Sequence, residues 1–148
     1  MYSSFVCSAS LAGQPKPPAT APAFTIVHSQ SRARFDGGAL YYVLIPKPNL
    51  QTPAFKDQVK TIIKRIVAEH GGKISIDIYD DQVVLEGKFQ KAVRSKAQLE
   101  SDAIHFIAGF SGQLSTEPYP NTLYFFPGGF KQSPVIGKWV EINEFNPR

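Results

Sequence analysis

Cysteine is all but missing from this chain: Cys7 stands alone, which excludes an intramolecular disulfide and any multi-cysteine zinc or iron–sulfur site. Histidine is scarce as well. His28, His70 and His105 are far apart in sequence, so no pair falls at the spacing of a zinc-binding helix. Long apolar runs are also lacking. Residues 39–45 form one of the longest, far short of the roughly 18 that a membrane-crossing helix needs. Charge of one sign does not dominate either, since 16 Lys and Arg stand against 12 Asp and Glu for a net +4. Strong nucleic-acid binders are usually more lopsided.

What is present suffices for one folded domain. The chain has 148 residues, 43% hydrophobic and 12% aromatic, so it can bury a core. Its composition is uneven. Lys16 is the single charged residue in 1–31, and Pro15, Pro17, Pro18 and Pro22 cluster in that stretch. Each proline fixes its own φ and pushes its predecessor out of the helical region, so residues 1–23 read as a flexible Pro-rich N-terminal arm. A basic leader followed by an apolar h-region is not evident in it. Nor does Cys7 have the upstream leucine of a lipidation signal. Residues 24–148 read as a single soluble α+β domain, with no compartment indicated.

Within that domain, 24–27 can form a short strand, 32–38 a turn-rich connection, and 39–45 a buried strand ended by Pro46 and Pro48. Thr52 as N-cap and Pro53 at the first helical position open the clearest element. Phe55, Val59, Ile62, Ile63, Ile66 and Val67 then fall on one helical face, and Gly71 and Gly72 stop the helix. Residues 73–79 alternate, with Ile74, Ile76 and Ile78 on one side. Strand, helix and strand make a crossover unit with parallel strands. Asp80 or Asp81 can cap a second helix with Val84, Leu85, Phe89, Val93 and Ala97 on one face, although Gly87 weakens it by about 1 kcal/mol. A strand over 82–90 is the alternative. Alternating 104–110 and aromatic 122–126 suggest a hairpin, with 138–142 as a last strand. The expected fold is therefore a mixed β-sheet with a β-α-β crossover, two helices packed on the sheet and a C-terminal β-hairpin or meander.

Candidate sites follow from that layout. Ligands of open sheets collect beyond the C-terminal ends of parallel strands, where Lys47, Asn49, Thr52, Asp80 and Asp81 would form a crevice. Helix capping explains the two aspartates without chemistry, and that reading comes first. His70 and Asp80 bracket one strand, about 20 Å apart at its 3.3 Å rise, so they cannot share an acid–base site. Ser111 lacks the Gly-x-Ser-x-Gly frame of a nucleophile elbow. The glycine pairs 37–38, 71–72 and 128–129 match no phosphate-binding loop and read as turns. Lys56, Lys60, Lys64 and Arg65 form a candidate basic patch flanking the apolar stripe, and Lys88, Lys91, Arg94 and Lys96 form another acid-free cluster. Lysines beside such a stripe usually form its solvated face. The stretch around Tyr119, Phe125, Phe126 and Phe130 is dense in aromatics and prolines, and is a candidate contact loop.

No coherent catalytic set emerges, and no metal or cofactor is expected. The sequence points to a small non-enzymatic binding or assembly module acting through protein contacts, with self-association as one form. A nucleic-acid-binding domain using the lysine-rich helix faces is one alternative. A small-molecule enzyme using the strand-end crevice is the other.

Overall fold

A computed structural model describes residues 23–31, 37–90, 93–114, 120–126 and 141–148. The expected arm up to Pro22, the tip of the contact loop at Tyr119 and Phe130, and residues 138–140 of the expected last strand lie outside these. The elements in chain order are β1 (Thr25–Ser31), β2 (Ala39–Leu44), α1 (Pro53–His70), β3 (Ile74–Tyr79), α2 (Gln82–Gln90), α3 (Lys96–His105), β4 (Phe106–Ser111), β5 (Thr122–Phe125) and β6 (Glu141–Glu144). The six strands form one sheet in sequential order. Only β2 and β3 are parallel, joined by α1, and every other neighbouring pair is antiparallel. The α+β class, the mixed sheet and the β-α-β unit are thus as the sequence predicts. The helix count differs: the described residues hold three.

α1 forms because its start, stripe and stop agree. The Thr52 hydroxyl accepts from the Phe55 amide at 3.3 Å. At the other end the Gly71 amide donates to the Val67 carbonyl at 2.8 Å, with Gly71 at φ 86°, which a side chain would resist. All six stripe residues are buried. They pack on the sheet face built from Val43, Ile74, Ile76, Ile78, Phe110 and Leu123. Burying such a side chain is worth roughly 1.5–3 kcal/mol, so this layer holds the domain together.

The opposite sheet face is composed differently, because β3 turns Ser75, Asp77 and Tyr79 toward it. Its small apolar cluster is Tyr42, Leu44, Tyr79 and Leu85. α2 and α3 cover this face. The expected single helix breaks after Gln90, and Val93 and Ala97, expected on its buried face, are exposed. The cause lies in Ser95: its hydroxyl accepts from the Gln98 amide at 3.2 Å, while the Ser95 amide donates to the Gln98 side chain at 2.9 Å. This capping box starts a new helix. Cap roles shift too, since the Asp81 carboxylate takes the Val84 amide at 2.9 Å and leaves Asp80 free for other work.

α3 continues to His105, so β4 begins two residues later than the alternation of 104–110 suggests. A register shift between Ile78 and Tyr79 pairs Ala108 with Ile78 and Phe106 with Tyr79. The extra residue, Ile107, makes a bulge, and Phe106 stacks on Tyr79 with ring centroids 5.3 Å apart.

Candidate functional site

The layer between the second sheet face and the α2–α3 pair gathers charge in a partly dry setting. Strand pairing aligns Tyr42, Asp77, Gly109 and Tyr124 across four strands, with Leu44, Tyr79 and Phe106 in the adjacent row. α2 lays its Lys88 and Phe89 over that surface. The Lys88 ammonium donates to the Tyr79 hydroxyl at 2.7 Å and sits over both tyrosine rings, 4.9 Å from the Tyr42 centroid and 5.0 Å from the Tyr79 centroid. Phe89 stacks on His28 at 4.2 Å and meets the Tyr42 ring edge-on at 4.7 Å. Burial pushes the Tyr79 phenol far above its usual value, and the negative charges of Asp77 and Asp102 add to that, against a smaller opposing pull from Arg94. Tyr42 moves the same way, through burial and then Asp77. Both phenols therefore stay protonated at neutral pH and can accept only through a lone pair while donating elsewhere.

Arg94 and Asp102 form the centre of the layer. Arg94 Nη2 lies 2.6 Å from Asp102 Oδ1 and a long 3.5 Å from the Gln98 carbonyl, and the two side chains are only 14% and 12% exposed. Asp102 is the sole buried residue of α3, so this helix turns a charge inward. Arg94 Nε and Nη1 are also shielded and find no acceptor among the described residues. Beside the pair, Val83, Val84 and Gly87 of α2 face Gln98 and Ser101 of α3 across a cavity of about 290 Å³ that Arg94 and Asp102 also line. Sequence reasoning missed this pair. Arg94 lies in the connection before α3 and Asp102 eight positions on within it, and only the Ser95 cap, readable as Ser-x-x-Gln, would have shown the break that lets them meet.

The strand-end crevice assembles in part. The Lys47 amide donates to the Asp80 carbonyl at 3.5 Å, so these two are neighbours. Asn49 and Thr52 are tied to each other, with the Thr52 hydroxyl donating to the Asn49 carbonyl at 2.9 Å. Asp81 serves as the α2 cap. Asp80 Oδ1 is 2.8 Å from His105 Nδ1, and the Asp80 amide donates to the His105 carbonyl at 3.2 Å. An Asp–His contact therefore exists, formed with His105 rather than the distant His70; placing His105 on a strand had hidden it. His70 instead stacks on Tyr41 at 4.9 Å.

The other candidates are dispersed or buried. In the basic patch, Lys56 lies 5.5 Å from the Phe125 ring and Arg65 lies 5.4 Å from the Phe24 ring while pairing with Glu69 at 3.2 Å. Lys60 is half-buried and Lys64 is exposed. Phe125 and Phe126, expected in a contact loop, are 3% and 5% exposed. They are core residues, because β5 pairs with β4 and turns Phe125 against Phe55. Of the second cluster, Lys88 and Arg94 point into the layer and Lys91 lies outside the described residues. Glycines 37–38 and 71–72 line a shallow cavity of about 470 Å³ at the opposite end of the parallel strands, with His70 and Lys73.

Among the described residues no group of His, Cys, Asp and Glu is placed to hold a metal, and no helix is long and apolar enough to cross a membrane. Comparison with protein-family models, with curated proteins and with solved structures returns no match.

Proposed function

We propose that this protein is a non-enzymatic binding module acting through protein–protein contacts, and that the outer surface of α2, α3 and their connection is its contact face. One observation carries the reading. Among the described residues the exposed large hydrophobics are Val83 at 80%, Val93 at 84%, Leu99 at 56%, Ile104 at 45% and Phe89 at 37%. All of them fall between positions 83 and 104, while the rest of the described surface keeps its large apolar side chains covered. Single exposed apolar residues are ordinary, but their confinement to one helical pair is what an interaction face requires. The contact loop around Phe125 and Phe126 no longer supports the reading, and the support comes from these helices instead. Self-association is its first testable form. Static light scattering at rising concentration is expected to show mass above a single chain, restored to one chain by Leu99→Glu with Ile104→Glu.

The Asp80–His105 contact favours an enzymatic reading in second place, because an imidazole oriented by a carboxylate is the usual form of a general base. That reading requires a reacting group beside His105, and His105→Asn would abolish any activity found. Nucleic-acid binding through Lys60 and Lys64 ranks third, since Lys56 and Arg65 are engaged with aromatic rings. It requires an affinity that falls steeply with salt and drops on Lys60→Glu with Lys64→Glu.

A further inference from the structure

The cavity between α2 and α3 has features that packing alone does not explain. The first is Arg94. Its Nη2 is committed to Asp102, but Nε and Nη1 are shielded from solvent and unsatisfied by the described residues. A buried donor without an acceptor is costly, and more so on a permanent cation. The second is Gly87, in the interior of the nine-residue α2. Glycine there weakens the helix, and a Cβ at this position would meet nothing within 4 Å. Neither backbone conformation nor close packing calls for glycine at this place. What its small size does accomplish is to keep the cavity open, since Gly87 lines it.

We infer that this cavity is a binding site for a small carboxylate with a short aliphatic body, recognised by the free donors of Arg94. The size is sufficient. About 290 Å³ holds roughly ten water volumes, which is ample for a small acid. The lining sets the polarity. Half-buried Val84 supplies an apolar wall for the aliphatic part, and Gln98 and Ser101 supply further donors on the facing helix. Charge selects the head group. Lys88 and Arg94 in this layer are balanced by Asp77 and Asp102, so a monoanion leaves one net negative charge where a phosphate dianion would leave two. Charge-assisted hydrogen bonds to guanidinium favour the carboxylate over a neutral amide of the same shape. Entry turns the outer torsions of the Arg94 side chain, bringing Nε and Nη1 to the cavity while Nη2 keeps Asp102.

The test is a titration of the full chain, labelled with nitrogen-15, with butyrate and with butyramide at constant ionic strength. Backbone amides of Gly87, Gln98 and Ser101 and the Arg94 Nε–H are followed by NMR. Saturable shifts with butyrate are expected at these positions, with butyramide binding about tenfold more weakly or less. Gly87→Leu fills the cavity while keeping both Arg94 and Asp102 in the chain, and is expected to abolish the shifts while leaving the chain folded. Arg94→Lys keeps the charge but loses the fork, and a loss of about tenfold is expected. Shifts no larger than those from chloride, equal binding of butyramide, or unchanged binding in Gly87→Leu would each overturn the assignment.

Discussion

The two faces of the sheet carry opposite kinds of layer. On one, α1 buries six apolar side chains against isoleucines and phenylalanines, and its charges stay at the rim. On the other, α2 and α3 bring Leu85 as their one buried apolar side chain and gather buried Asp102 with half-buried Lys88, Arg94 and Asp77 beside two tyrosines, while Val83, Val93, Leu99 and Ile104 face outward. A layer that turns charge inward and apolar groups outward gains little from burial, and an arginine–aspartate pair in low dielectric roughly breaks even against a hydrophobic replacement. The first layer accounts for the fold. The second gains little from burial, and the proposed contact face lies on its outer side.

The largest effect that sharpens this contrast is expected from Asp102→Ala, which leaves the Arg94 guanidinium buried and unpaired. Chemical denaturation should show a loss of about 3–5 kcal/mol. Replacing both partners together, by Arg94→Met with Asp102→Leu, should instead come out near neutral, and a large loss in that double variant would break the comparison. On the α1 face, Ile62→Ala is expected to cost about 2–5 kcal/mol as a cavity, with no polar partner whose removal could offset it. The smallest effect is in pH. Because the Tyr79 phenol is raised in the folded chain, the unfolded chain loses its proton first as pH climbs, so this contribution is complete below about pH 10 and fades above it. At pH 11 the difference amounts to about 1.4 kcal/mol, and Tyr79→Phe should remove that slope from a denaturation series.

Much of the α1 layer was legible in the sequence, because each of its signals is local. Thr52, Pro53, the six-residue stripe and Gly71 agree with one another, and the alternation of 73–79 fixes which side of β3 meets the helix. The α2–α3 layer was not, for physical reasons that differ by residue. Val93 and Ala97 continue the spacing of Val84, Leu85 and Phe89, so the pattern runs through a break that only the Ser95–Gln98 box marks. Phe125 and Phe126 read as a contact loop because prolines flank them, yet their burial depends on β5 lying between β4 and β6, a long-range pairing. The Asp80–His105 contact depends on where α3 ends, and an apolar alternation starting at Ile104 disguises that end. In the candidate crevice, Lys47 and Asp80 are neighbours, since both follow parallel strands in register. Their side-chain roles were beyond reach without knowing that Asp81 takes the cap.

The claim that the α2–α3 surface is the working face is tested most directly by solution mass. Light scattering across a wide concentration range should show the weight-average mass of the wild-type chain rising from 16.3 kDa toward twice that value, with Leu99→Glu plus Ile104→Glu held at one chain. A wild-type mass that stays at one chain throughout, or an association untouched by the two substitutions, would contradict it.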